Sequence, residues 1–95
     1  MEIKVQSIHF DADQKLIKFI EDKLGKLTQY YDKIIGGEVF LKLEPADRKN
    51  KVTEIKLAIP GKDLFAKKQC KTFEEATDEA VEALRRQISK YKSRN

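Results

Sequence analysis

Residues 53–75, from Thr53 to Glu75, read TEIKLAIPGKDLFAKKQCKTFEE. Thr53, Ile55, Leu57 and Ile59 alternate with Glu54, Lys56 and Ala58, the period of a strand with one buried face. Pro60-Gly61 ends the run with the residues of a tight turn. Beyond it, Leu64, Ala66 and Cys70 fit the inward positions of a returning strand. Lys68 shares their parity, so the spacing predicts either a bulge or an edge position there. Thr72-Phe73-Glu74-Glu75 then has the S/T-x-x-E form of a capping box, which opens a helix. A hairpin running directly into a helix is a unit that can close one side of a sheet.

The rest of the chain extends this unit in both directions. Phe73, Ala76, Ala80, Leu84, Ile88 and Tyr91 recur every three or four residues and predict one buried helical stripe to the C-terminal end. Upstream, Pro45 to Lys51 is a polar loop carrying Arg48, Lys49 and Lys51. Val39, Leu41 and Leu43 alternate with Glu38, Lys42 and Glu44 as another strand, with Gly36-Gly37 read as a break before it. Leu16, Ile20, Leu24, Leu27 and Tyr31 trace a second apolar stripe over about five turns, with Asp11 or Asp13 as its cap. Gly25 inside that stripe costs about 1 kcal/mol relative to Ala, and marks close backbone packing or no special role. Ile3, Val5 and Ser7 alternate with Lys4 and Gln6 as a first strand. The predicted order is β-α-β-β-β-α, an α+β two-layer sandwich with a four-stranded sheet and both helices on one face. No repeat, linker or low-complexity stretch divides residues 1–95, so one domain is expected.

Charged residues make up 38% of the 95-residue chain, against about a quarter in ordinary domains, and unpaired charge is costly to bury. The formal net charge is only +4, but it is unevenly spread. Residues 1–47 carry 7 Lys/Arg against 9 Asp/Glu, a net of −2, and residues 48–95 carry 13 against 7, a net of +6. A basic C-terminal half favours a polyanionic partner. Cys70 is the single cysteine, so an intrachain disulfide is excluded and a reducing cytoplasm is the expected setting. Residues 1–6 have no signal-peptide pattern. No run approaches the length of a membrane-spanning helix.

The residues of catalysis are sparse. His9 is the sole histidine, and no Cys or carboxylate cluster has metal-ligand spacing, so no metal site is expected. Cys70 has no activating base nearby in sequence, and a small buried role is expected of it. The glycines match neither a P-loop nor a dinucleotide fingerprint. Neither an enzyme, a cofactor nor a small-molecule substrate is expected.

The basic helix faces carry the remaining signal. Lys15, Lys18, Lys26 and Gln29 lie opposite the first stripe, with Lys23 on the flank. In the last helix Glu74, Glu75, Asp78, Glu79 and Glu82 precede Arg85, Arg86, Lys90, Lys92 and Arg94. Acids first and bases last is the order the helix dipole favours, so half of this pattern is helix electrostatics. From Arg85 to Asn95, however, there are five bases and no acid, with Gln87, Ser89 and Tyr91 between them. Arg can fork onto phosphate, and Gln and Ser can bond phosphate or 2′-hydroxyls. The sheet offers no RNP-like aromatic pair, so helices docking on folded RNA fit better than base stacking on strands. Two competing readings are a general double-stranded RNA-binding module, and an interaction protein using the polar sheet face with Phe40 as anchor.

Two stretches sharpen this. Lys26-Leu27-Thr28-Gln29-Tyr30-Tyr31-Asp32-Lys33-Ile34 resembles the end of the first helix in ribosome hibernation-promoting factors, whose pattern there is close to K-L-x-Q-Y-x-D-R-I. Leu84-Arg85-Arg86-Gln87-Ile88-Ser89-Lys90-Tyr91-Lys92 resembles their second helix, close to L-x-R-Q-L-N-K-x-K. The spacing between the two motifs, the element order and the length also match the short form, so the resemblance covers essentially the whole chain. It implies a bacterial, cytoplasmic protein with a fold similar to double-stranded RNA-binding domains. It further implies a chain, monomeric when free, that binds ribosomal RNA of the small subunit where messenger and transfer RNA would sit, and that blocks or protects idle ribosomes. The family's basic positions map onto Lys23, Lys26 and Lys33, and onto Arg86, Gln87, Lys90 and Lys92. Arg85, Lys15, Lys18 and Arg94 rank below them. Thr72-Phe73-Glu74 stands where relatives often have D-M-Y, and Ala83 where a Lys is common. Whether Arg85 replaces that Lys is left open by the sequence. Long members add a linker and a C-terminal dimerisation domain, which residues 1–95 are not expected to contain.

Overall fold

A computed structural model describes residues 1–93. Four strands, β1 (Glu2–Ser7), β2 (Gly36–Leu43), β3 (Lys51–Ile59) and β4 (Lys62–Cys70), form one sheet in the order β1-β2-β3-β4. Three helices, α1 (Gln14–Gly25), α2 (Leu27–Tyr30) and α3 (Phe73–Ser93), complete the sandwich. β2, β3 and β4 are antiparallel neighbours, whereas β1 runs parallel to β2. A parallel pair needs a long crossover, and α1 and α2 supply it.

The expected hairpin forms as read. Ile59 pairs with Lys62 across Pro60-Gly61, and Gly61 has φ 85°, the positive value that the third residue of a type II turn requires. At Lys68 the pairing runs unbroken through Thr53, so the edge position, not a bulge, accommodates the lysine. The inward faces of the sheet and helices meet in a core of Ile20, Leu24, Val39, Leu41, Ile55, Leu57, Ala80, Leu84 and Ile88, all fully buried. Thr53 and Thr77 are buried among them, with their hydroxyl oxygens 3.4 Å apart. Thr77 is a core member that the apolar stripe alone does not reveal. Phe10 and Phe73 stack with centroids 5.2 Å apart and close the end where α1 and α3 begin.

Three expectations change. The single first helix is divided, because α1 ends at Gly25 and one further turn, α2, follows Lys26. The Thr28 hydroxyl donates to the Gly25 carbonyl at 2.7 Å, and the Gln29 amide reaches only back to the Lys26 carbonyl, a tightened i→i+3 turn. No atom lies within 4 Å of where a Cβ on Gly25 would stand, so Gly25 marks a helix end and no close contact. Asp13, not Asp11, is the cap, accepting from the Leu16 amide at 2.8 Å.

Gly36-Gly37, read as a break, instead opens β2. A Cβ on Gly36 would stand 3.0 Å from the Glu2 carbonyl oxygen, and one on Gly37 would stand 3.0 Å from the Leu24 side chain. The two glycines let β1 and α1 pack directly on the strand. Leu43, expected inward, is 44% exposed, since β2 runs past the helical layer there.

Candidate nucleic-acid interface

α1 and α2 lie alongside α3 in the same direction. Phe10 meets Phe73 at one end, Lys23 pairs with Asp78 at 3.2 Å, and Tyr31 meets Tyr91 edge-on at the other. Parallel helices bring like ends together, so the basic end of the last helix stands beside the Lys26–Lys33 segment. The acidic turns of α3, from Glu74 to Glu79, are left at the far end.

Tyr30, at the end of α2, joins the two halves. Its ring lies 4.4 Å from the Lys92 ammonium and 5.8 Å from the Arg85 guanidinium. Lys92 also donates to the Tyr30 carbonyl at 3.2 Å. Cations over a ring face are attracted by its quadrupole, so Tyr30 holds two α3 cations against α2. Lys23 rests 5.5 Å from the Phe19 ring as well as on Asp78. Lys26 and Lys33 are exposed and make no ion pair among the described residues.

α3 spreads its bases over both flanks. Arg85 and Lys92 face α2. Arg86, Gln87 and Lys90 face the β4 side, where Arg86 and Lys68 border one groove together with Asp78, Glu79 and Glu82, and Gln87, Lys90 and Lys62 border another that holds no acid. The Gln87 side-chain amide donates to the Phe65 carbonyl at 2.9 Å, tying helix to edge strand. Glu82 lies between the flanks. It accepts from Arg85 Nε at 3.0 and 3.2 Å and stands 3.7 Å from Arg86. An i,i+4 contact of Glu82 with Arg86 is thus secondary to the i,i+3 fork from Arg85. That fork holds the Glu82 carboxyl below its usual range and raises the Arg85 guanidinium above its own.

Each expected site residue can now be placed. Arg85 and Lys92 stand around Tyr30, Lys26 and Lys33 are exposed in the segment that flanks it, and Lys23 lies further back, on Asp78. Arg86, Gln87 and Lys90 form a second group on the opposite flank of α3. Two residues along a helix turn by about 200°, so Arg85 and the half-buried Ala83 are on opposite flanks. Arg85 therefore does not share the flank on which Ala83 stands. Lys15 and Lys18 lie toward the start of α1, and Lys18 pairs with Asp22 at 3.7 Å. Arg94 falls outside the described residues.

Two lysines of β4 border the same grooves although their parity is inward: Lys62, which the sequence does not single out, and Lys68, for which the spacing allowed an edge position. Only the edge position of that strand, visible in the sheet order, lets them emerge beside α3.

The remaining candidates are quieter. His9 is exposed at the end of β1 with φ 63°. The Cys70 thiol is buried, and it donates to Glu79 Oε2 at 3.3 Å. Burial first, then that hydrogen bond and the Glu79 charge, push its pKa up, which makes it a poor nucleophile. Among the described residues no group of three His, Cys, Asp or Glu could hold a metal ion, and no helix is long and apolar enough to cross a membrane. On the open sheet face Phe40 is half-buried, and the exposed aromatic is Phe65, at 53%. The two sit on β2 and β4 with Glu54 and Lys56 of β3 between them, so they do not form a stacking pair.

The ribosome hibernation promoting factor of Pseudomonas putida is 28% identical over 94 residues, covering 99% of this chain and 89% of that protein. The factor of the same name from Escherichia coli K12 is 27% identical over 100 residues, covering 99% and 96%. A ribosome hibernation promotion factor from Deinococcus radiodurans is 30% identical over 87 residues, 88% of this chain and 45% of its own length. Among solved structures, a ribosomal subunit interface protein from Coxiella burnetii superposes with a TM-score of 0.87 at 22% identity, covering 98% of this chain and 99% of that one. The Protein Y N-terminal domain of Thermus thermophilus gives 0.84 at 24% identity, covering 96% and 99%. These two establish the fold. The family model described as Sigma 54 modulation protein / S30EA ribosomal protein matches residues 3–95, and the chain belongs to that family of ribosome-associated factors.

Proposed function

We propose that this chain is a non-enzymatic translation inhibitor of the cytoplasm that binds the small ribosomal subunit. It occupies the channel used by messenger and transfer RNA, and so blocks or protects idle ribosomes. The observation that carries this reading is that the parallel helices bring the basic ends of α2 and α3 to one end of the sandwich, with bases on both flanks of α3. Lys26, Lys33 and Lys90 have no carboxylate partner among the described residues, so their charge is available to RNA phosphates. Lys23 and Arg86 share theirs with Asp78 and Glu82. Inhibition follows from steric competition: cations neutralise phosphates, and the sandwich body fills space that transfer RNA needs. The free chain is monomeric in this reading, and ribosomal RNA is its partner.

A general duplex-binding module is the second reading. Such domains contact about 16 base pairs through successive grooves, which needs bases along the length of the binding face. Here the far end of α3 presents Glu74, Glu75, Asp78 and Glu79, so the polarity of the helix favours a compact RNA target over a long duplex.

Co-sedimentation with purified small subunits tests the proposal. Arg86→Glu/Lys90→Glu is expected to abolish pelleting at a salt concentration where the wild type pellets, with affinity falling steeply as salt rises. Pelleting of the double variant like the wild type would remove the site. Equal wild-type affinity for naked duplex and for subunits would favour the general module.

A further inference from the structure

A groove of about 180 Å³ separates the start of β4 from the last turns of α3, lined by Lys62, Leu64, Gln87, Lys90 and Tyr91. The hairpin places Lys62 there. Its partner Ile59 points into the core at 2% exposure, and directly paired residues share a face, so Lys62 must project to the helix side of the sheet. At the edge of the sheet that direction leads out beside α3, which leaves Lys62 exposed while Leu64 is buried.

Both walls are fixed. Gln87 donates to the Phe65 carbonyl at 2.9 Å, and the Tyr91 hydroxyl donates to the Pro60 carbonyl at 3.4 Å. The Lys62 ammonium lies 5.9 Å from the Tyr91 ring.

The charge in this groove is unbalanced. Two ammonium groups face it, and none of the five lining residues is acidic. The nearest acid in sequence, Asp63, has the opposite parity and pairs with Lys56 at 3.6 Å on the other face of the sheet. Two like charges at one groove repel until an anion lies between them. The groove also has an apolar side in Leu64 and the Tyr91 ring. The Gln87 amide uses one of its two N–H groups on Phe65, so the second N–H and the carbonyl oxygen are unspent.

We infer that this groove is a phosphodiester subsite for RNA. A backbone phosphate sits between Lys62 and Lys90, the adjoining sugar packs on Tyr91 and Leu64, and the free groups of Gln87 meet its 2′-hydroxyl. The inference rests on the RNA-binding reading above and adds the sheet edge to it: the bound strand leaves the helical face and wraps around β4.

The test is the salt dependence of small-subunit binding by the full chain, compared among wild type, Lys62→Gln, Lys62→Arg and Lys67→Gln. Lys67 is exposed on the same strand but points to the open face, so it controls for net charge. Removing one phosphate contact makes the slope of log affinity against log salt shallower by about 0.7–0.9. That change is expected for Lys62→Gln, with wild-type slopes for Lys62→Arg and Lys67→Gln. All four are expected to melt together, because these side chains lie on the surface. A wild-type slope for Lys62→Gln, or an equal change in Lys67→Gln, overturns the subsite while leaving the wild-type interaction standing. Failure of the wild type to bind subunits would instead remove the RNA-binding reading itself.

Discussion

Replacing Tyr30 tests whether the two helix ends act as one surface. Tyr30→Leu keeps an apolar side chain on α2 and the carbonyl that accepts from Lys92, but removes the ring 4.4 Å beneath that ammonium. A cation over an aromatic face at an exposed site contributes about 0.5–1 kcal/mol. Arg85, at 5.8 Å, is near the limit of the interaction and adds little. In a domain of this size 1 kcal/mol corresponds to about 4–8 °C in melting temperature, so a fall of about 2–8 °C is expected from the Lys92 contact alone. The assay is a double-mutant cycle of urea unfolding with Tyr30→Leu, Lys92→Met and the pair. Its coupling energy should recover about 0.5–1 kcal/mol. Tyr30→Phe retains the ring and should keep the coupling. Binding should follow, since a freed lysine must be ordered again on RNA at about 0.5–1.5 kcal/mol, a loss of roughly 2- to 10-fold in affinity. Zero coupling, or a Phe variant as impaired as Leu, would show that Tyr30 merely fills space.

Two further outcomes follow from the interior. Thr77→Val should destabilise by about 1–3 kcal/mol because it strands the Thr53 hydroxyl in the core, whereas Thr53→Val/Thr77→Val should be nearly neutral; additive losses in chemical denaturation would refute the pairing. Cys70 has a raised pKa in the folded state, so its contribution to stability is fully present below the ordinary thiol value of about 8.5. It is lost as pH rises through the higher folded value. Melts on the alkaline side should therefore lose stability in the wild type and less in Cys70→Ala, and thiol reagents at pH 8 should modify the wild type only as fast as it opens.

The sequence determined every strand, the Thr72 cap of the last helix, whose hydroxyl accepts from the Glu75 amide at 3.0 Å, and the class of fold, because each rests on local pattern. Alternation in Thr53–Ile59 and the 3–4 spacing from Phe73 to Ile88 have one physical solution each. It also determined which residue types were available for binding, since the acid-free run after Arg85 is a matter of composition. It read the first helix as unbroken, because the apolar stripe runs on past Gly25 to Leu27 and Tyr31, and it misplaced Gly36-Gly37. A glycine reads as a break unless the neighbour that needs its missing Cβ is known, and those neighbours, Glu2 and Leu24, are distant in the chain. Which cations stand together was decided only by tertiary structure. The parallel course of the two helices sets Lys92 on Tyr30, 62 residues away. The edge position of β4 turns two inward-reading lysines into surface groups beside α3. Charge can be counted along a chain, but a binding surface is defined by distances across it.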